Sequence, residues 1–306
     1  MEFLYLLESI RFPALTEFMS LITRLGEETA FLVIALIVFW CVDKYSGYYT
    51  LGVGLVGTLI NQFLKITCRI PRPWVADPNF TIVESAREAA SGYSFPSGHT
   101  QTAVGTFGCI AAFTKKTWVR VVAIVLAVLV GLSRMYLGVH TPADVIVGAL
   151  QSLVLVFLFL PMNKEQGRKM IPWVFGGLLC LSGVYLAYVT LYPFPESIDP
   201  HNYESAIKNA YTLMGCSVGI LIVYVADEKK FHFETKAVWW AQILKSVIGL
   251  IVVLLVKEGL KSPLEAIFAG HMVARAVRYC LIVVVAGIVW PLSFSWFAKL
   301  GRKGND

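Results

Sequence analysis

Charge is scarce in this chain. Only 15% of its 306 residues are charged, while 57% are hydrophobic, against roughly 25% charged in an average soluble domain. With a mean hydropathy of +0.68, this excludes an ordinary soluble protein and implies an integral membrane protein. Paired cysteines are also lacking. Cys41, Cys68, Cys109, Cys180, Cys216 and Cys280 are scattered, mostly inside apolar runs, which excludes a disulfide framework and a cysteine zinc site. There is no cluster of Asp and Glu of the oxygen-rich kind that holds Mg²⁺ or Ca²⁺, so neither a metal nor another cofactor is expected. The net charge of +6 comes without a basic block; it reads as membrane-orienting charge, and no nucleic-acid partner is expected. No low-complexity linker or internal repeat is evident. A cleavable signal peptide is not expected either, because Glu2, Glu8 and Arg11 interrupt the start and no small-residue cleavage site follows.

Long hydrophobic runs fill the chain instead. Because a crossing needs ~20 apolar residues, about nine spans are expected. They lie near residues 27–43, 48–66, 97–114, 119–137, 142–161, 171–191, 205–226, 238–256 and 279–297. Residues 1–26 mix Leu4, Leu7, Ile10 and Ile22 with Glu8, Arg11 and Glu17, a pattern that suits an amphipathic helix in the interface, broken near Pro13. The fold class is therefore an all-α polytopic membrane bundle. Three regions are expected: the interfacial helix at 1–26, a catalytic core at 27–165 and a four-helix membrane region at 166–306.

Lys and Arg near span ends orient such a bundle. With the amino terminus outside, the inner connections carry Lys44, then Lys115, Lys116 and Arg120, then Lys164, Arg168 and Lys169, then Lys229, Lys230 and Lys236, and finally Lys299, Arg302 and Lys303. The outer loop from Tyr192 to Glu204 has no Lys or Arg and carries Glu196, Asp199 and Glu204.

Three polar islands interrupt the apolar sequence, and this topology places all of them at the outer face. The first holds Lys65 and Arg72, stiffened by Pro71 and Pro73. An ammonium and a guanidinium so placed can grip a tetrahedral anion, or can anchor the helix end at the headgroups. In the second, Ser97, Gly98 and His99 open a span, so that a hydroxyl and free backbone N–H groups form a natural phosphate cradle; the bland alternative is a serine N-cap. The third runs from Ser133 and Arg134 through His140 to Thr141-Pro142-Ala143-Asp144. Asp144 lies one helical turn from His140. It is placed either to orient the imidazole or to complete a Thr-x-x-Asp cap beside a solvated histidine. Between Glu258 and Arg278, Leu264, Ile267, Phe268 and Met272 alternate with His271, Arg275 and Arg278, which suits a helix either at the site's mouth or merely anchored in the interface.

Taken together, Lys65 with Arg72-Pro73, Pro96-Ser97-Gly98-His99, and Arg134 with His140 and Asp144 resemble the three-part signature of the type 2 phosphatidic acid phosphatase family. These are the lipid phosphate phosphatases of the vanadium haloperoxidase and glucose-6-phosphatase superfamily. The resemblance extends over roughly residues 27 to 165. It implies that Lys65, Arg72, Ser97, the Gly98 amide and Arg134 bind phosphate oxygens, that His140 attacks phosphorus, that Asp144 orients His140, and that His99 protonates the leaving oxygen and then activates water. The expected activity is metal-independent hydrolysis of a lipid phosphate or diphosphate, of the phosphatidate, phosphatidylglycerophosphate or undecaprenyl diphosphate type, by a multi-pass protein of the cell membrane. The chain departs from the common six-span pattern, since two spans and the interfacial helix precede the first island and about four spans follow the core. This layout is similar to the glucose-6-phosphatase branch and keeps a sugar phosphate in view as substrate. A phosphotransferase, and a lipid or phosphate transporter, are the other readings. The oligomeric state is not legible.

Overall fold

Pro13 ends one helix and begins another. Helix α1 (Glu2–Ser9) stops before it, and α2 (Pro13–Thr23) starts with it at the first helical position, where a missing N–H is no loss. A short turn leads to α3 (Glu28–Ile37). Next come α4 (Lys44–Cys68) and the single turn α5 (Pro73–Ala76), and after a long loop α6 (Gly98–Phe113), α7 (Thr117–Tyr136) and α8 (Pro142–Phe159). The remainder is α9 (Ile171–Leu191), α10 (Pro200–Ala226), α11 (Trp239–Gly259), α12 (Lys261–Ile267), α13 (Val273–Val284) and α14 (Phe294–Lys299). The computed structural model describes residues 1–300, and among them there is no strand. Arg302 and Lys303, counted above with the inner cations, lie outside the described residues.

Among the described residues, seven helices are long and apolar enough to cross a membrane, or eight if Pro13–Gly26 and Glu28–Val42, bent by 56°, form one span. The expected count of nine is therefore not confirmed. The run at 97–114 accounts for part of the difference. Ser97 caps α6, which ends at Phe113 and has only 16 residues; it rises about 24 Å, short of the ~30 Å hydrocarbon thickness. Its Thr100, Gln101, Thr102 and Thr106 are buried within protein.

The described chain forms two compact units. The first comprises Met1–Ile34, Thr50–Leu160 and Leu191–Ile207, and it contains all three polar islands. Here α6 packs against α7 and α8, and α2 lies along α7. Ala103 and Phe107 of α6 meet Ala123 and Val130 of α7 and Ile22 of α2 in one apolar cluster. Gly148 sets how closely α8 approaches α6, since a β-carbon there would stand 2.7 Å from the Ser97 carbonyl oxygen. Ser152 joins the same two helices by donating to the Gln101 carbonyl at 2.6 Å. Beyond α7, Gly138 takes a positive φ of 80° that glycine adopts without strain, turning the chain toward His140. Arg11 holds this turn from α1's side, donating to the carbonyls of Tyr136 at 2.9 Å and Thr81 at 2.8 Å.

The second unit comprises Ala35–Tyr49, Pro161–Thr190 and the chain from Lys208 onward. Two of its buried charged groups have partners: Asp227 pairs with Lys44 at 2.9 Å, and Lys245 donates to the Thr235 carbonyl at 2.9 Å. The stretch from Glu258 to Arg278 is not one helix. It divides into α12 and the start of α13, with positive φ at Ala269 and Gly270 between them.

Candidate active site

Lys65 lies in the last turn of α4, where its buried ammonium donates to the carbonyls of Tyr93 and, at 3.3 Å, Ser94. Arg72 precedes α5. Its Nε donates to the Gly92 carbonyl at 3.1 Å, Nη2 to Ser91 at 2.8 Å and Nη1 to Val139 at 2.9 Å. The island Lys65–Arg72 thus clamps the loop that leads into α6. At the start of α6, the Ser97 Oγ accepts from the Thr100 amide at 3.3 Å and from the Thr100 hydroxyl at 2.9 Å, and the Ser97 amide donates to the Asp144 carbonyl at 2.9 Å. Gly98 is the first helical residue, which leaves its amide without an intrahelical acceptor.

His140 lies in the loop between α7 and α8 and is only 1% exposed. Arg72 Nη1 stands 2.9 Å from its Nε2. A guanidinium can only donate, so Nε2 must be the unprotonated nitrogen and Nδ1 must carry the proton. Nδ1 faces Asp144 Oδ2 at 3.4 Å and Ser94 Oγ at 3.5 Å. The same Oδ2 accepts from Ser94 Oγ at 2.6 Å and from the Thr141 amide at 2.8 Å. The Asp144 amide donates back to Thr141 Oγ1 at 3.3 Å, closing a capping box. The two readings of Asp144, orienting a histidine or capping a helix, are therefore both realised, through one oxygen. Burial first, and then the charges of Arg72, Lys65, Arg134 and the neighbouring His99, hold the His140 imidazole well below the ordinary histidine range.

Arg134, in the last turn of α7, is fully buried. Its Nη1 donates to Thr23 Oγ1 at 2.7 Å, while Nε and Nη2 have no partner among the described residues. His99, within electrostatic reach of Arg134, Arg72 and Lys65, likewise has a buried Nε2 without a partner. Buried donors are rarely left unmet, because each costs its full desolvation penalty. A tetrahedral anion among these groups would satisfy them with its oxygens. Among the described residues, no three His, Cys, Asp or Glu are grouped to hold a metal ion.

Two participants escaped the sequence. Ser94 stands one residue before Phe95-Pro96-Ser97, yet its bond to Asp144 crosses 50 positions. Thr23, on α2, steadies Arg134 across 111 positions. Adjacency to the second island hinted at the first; nothing local marked the second.

Residues 46–168 match the PAP2 superfamily, and residues 211–303 match a family described as PAP2 superfamily phosphatase, transmembrane extension. Phosphatidylglycerophosphatase B of Bacillus subtilis (strain 168) is 35% identical over 172 residues, 52% of this chain and 80% of that protein. The chain belongs to the PAP2 superfamily. This PAP2 chain is a multi-pass membrane phosphatase, and its first match encloses all the residues from Lys65 to Asp144. It is also 24% identical to sphingosine-1-phosphate phosphatase 1 of Rattus norvegicus over 265 residues, 78% of this chain and 58% of that protein. Over 106 residues it is 31% identical to undecaprenyl-diphosphatase BcrC of Bacillus subtilis, 35% of this chain and 52% of that one. No solved structure matches the chain.

Proposed function

We propose that this PAP2 protein hydrolyses a lipid phosphate or diphosphate at the outer face of the membrane through a phosphohistidine on His140. The observation that carries the reading is the opposed treatment of the two ring nitrogens of His140. Nδ1 is turned to Asp144, and Nε2 is presented beside Arg72 at 2.9 Å. Arg72 stands against the nucleophile at 2.9 Å; a phosphate entering between them would take the guanidinium as an oxygen ligand and free the Nε2 lone pair for attack.

In the first step Nε2 forms a bond to phosphorus as the bond from phosphorus to the lipid oxygen breaks. The leaving oxygen takes a proton from His99. In the second, water attacks phosphorus, His99 accepts a proton from that water, the bond to Nε2 breaks and inorganic phosphate leaves. Lys65, Arg72 and Arg134, with the Ser97 hydroxyl and Gly98 amide, stabilise charge on the three non-bridging oxygens. That is the task for which many phosphoryl-transfer enzymes use Mg²⁺. Asp144 keeps the proton on Nδ1 and stabilises the cation formed when Nε2 is phosphorylated.

The lipid class rests on relatives named for phosphatidylglycerophosphate, sphingosine-1-phosphate and undecaprenyl diphosphate, and on helices whose apolar faces keep acyl or prenyl chains in hydrocarbon beside the site. The outer location rests on the Lys and Arg distribution among the loops. The test is phosphate release from a panel of these lipids by purified protein in EDTA, with His140→Ala and His99→Ala alongside. His140→Ala should abolish turnover, and His99→Ala should slow it by ~10²-fold or more, as lost acid–base catalysis does. Strict metal dependence, or wild-type turnover by His140→Ala, would overturn the mechanism.

A further inference from the structure

None of the phosphatase-site residues lines a cavity of about 210 Å³ in the second unit, walled by α10, α12 and α13. Its lining sets Lys208, Lys261, Arg275 and Arg278, with His271, against one carboxylate, Glu265. Two of these cations are built in. Arg278 is only 9% exposed, and its buried Nε has no hydrogen-bond partner among the described residues; its guanidinium leans on the Tyr279 ring at 5.4 Å. Arg275 is tied to α10, its Nε donating at 2.6 Å to Thr212 Oγ1, which itself donates to the Lys208 carbonyl at 2.9 Å. That leaves the two Nη groups of Arg275 for a ligand.

A buried guanidinium with an unmet donor carries an uncompensated desolvation cost. An anion that supplies several oxygens removes it. Planar guanidinium forks fit pairs of phosphate oxygens, and basic pockets between membrane helices suit anionic headgroups. We propose that this cavity is a second anion site that binds a phosphate group, carried by an anionic phospholipid or as free phosphate. It stands on residues wholly apart from those of the hydrolytic site, so it does not depend on the reaction proposed above.

Two binding signals on the purified full-length chain test it. One is retention of phosphatidylglycerol, compared with phosphatidylcholine, in native mass spectrometry; the other is thermal stabilisation by inorganic phosphate. Each is measured in wild type and in the paired variant Lys261→Gln, Arg275→Gln, with Arg278→Gln as a third protein. Because Arg278 is buried and its variant could fail to fold, the exposed Lys261 with the half-buried Arg275 carries the decision. Monodisperse elution and helical circular dichroism verify folding. Loss of one or two charge-assisted contacts should weaken binding roughly tenfold or more. Variant-sensitive retention of phosphatidylglycerol assigns the site to a lipid headgroup. A variant-sensitive response to inorganic phosphate alone assigns it to the free ion. If neither signal differs between wild type and the paired variant, the proposal fails, whatever the preference for phosphatidylglycerol.

Discussion

Arg72 Nη1 and His140 Nε2 stand 2.9 Å apart, although 68 positions separate them in the chain. A donor-only group against a ring nitrogen determines the tautomer, and the tautomer determines which nitrogen has a lone pair to offer. Arg72 also donates to the carbonyls of Gly92, Ser91 and Val139, so one guanidinium both shapes the loop and sets the tautomer of His140. A lysine cannot do both, being a single point charge on a flexible stem. Arg72→Lys should lower kcat/KM roughly 10- to 100-fold, the effect of losing one or more charged hydrogen bonds. Steady-state kinetics on a short-chain lipid phosphate would show it, and near-wild-type kinetics would remove Arg72 from this role.

Ser94 is the residue whose contribution is most exposed to test. Its hydroxyl makes the shortest bond to the carboxylate that faces His140, 2.6 Å to Asp144 Oδ2. Ser94→Ala should reduce kcat roughly tenfold while KM changes little, because the hydroxyl orients the orienting group and does not hold substrate. A rise in KM at constant kcat would contradict this.

The pH profile has a definite sign. His140 must be neutral to attack, and its pKa is held below the ordinary histidine value near 6.5 by burial and the surrounding cations. As pH falls through 6.5 the imidazole therefore stays unprotonated, and the nucleophile is lost only at lower pH. The acid limb of kcat/KM, which reports the free enzyme, should lie below pH 6.5. A limb at or above that value, traced to His140 by substitution, would mean that the cations do not act on it as the geometry implies.

Vanadate should compete with substrate, since a trigonal-bipyramidal oxyanion with an axial histidine matches the attacked phosphorus. Among the described residues Arg134 has two buried nitrogens without partners, so Arg134→Ala should raise the inhibition constant roughly tenfold or more. Inhibition that is non-competitive, or unaltered by this substitution, would count against the pocket.

Sidedness is tested with single cysteines in a chain stripped of its six native ones. A membrane-impermeant thiol reagent on intact cells should label a cysteine placed at Ser197 and spare one at Gln166. The reverse pattern would put the site at the cytoplasmic face.

The sequence by itself determined the solvent this protein folds in, and it supplied the residue types of the proposed site and their order along the chain. A low charge content and long apolar runs leave only helices to span a bilayer, because every backbone group must be satisfied within its own segment. Lys65, Arg72, Ser97, His99, Arg134, His140 and Asp144 stood out because polar groups are conspicuous at the ends of such runs. Tertiary structure decided what they touch. Whether Asp144 serves the helix cap or the histidine was open in the sequence, since spacing of three and four residues permits both, and both bonds form on one oxygen. Thr23, Ser94 and the tautomer of His140 depend on contacts between segments far apart in the chain, which no local pattern encodes. The span expected near 97–114 is α6 at Gly98–Phe113, close in its bounds but with 16 residues too short to count among the candidate crossings. Hydropathy measures how apolar a run is, whereas the cap at Ser97 and the close approach of Gly148 determine where the helix begins and what covers it.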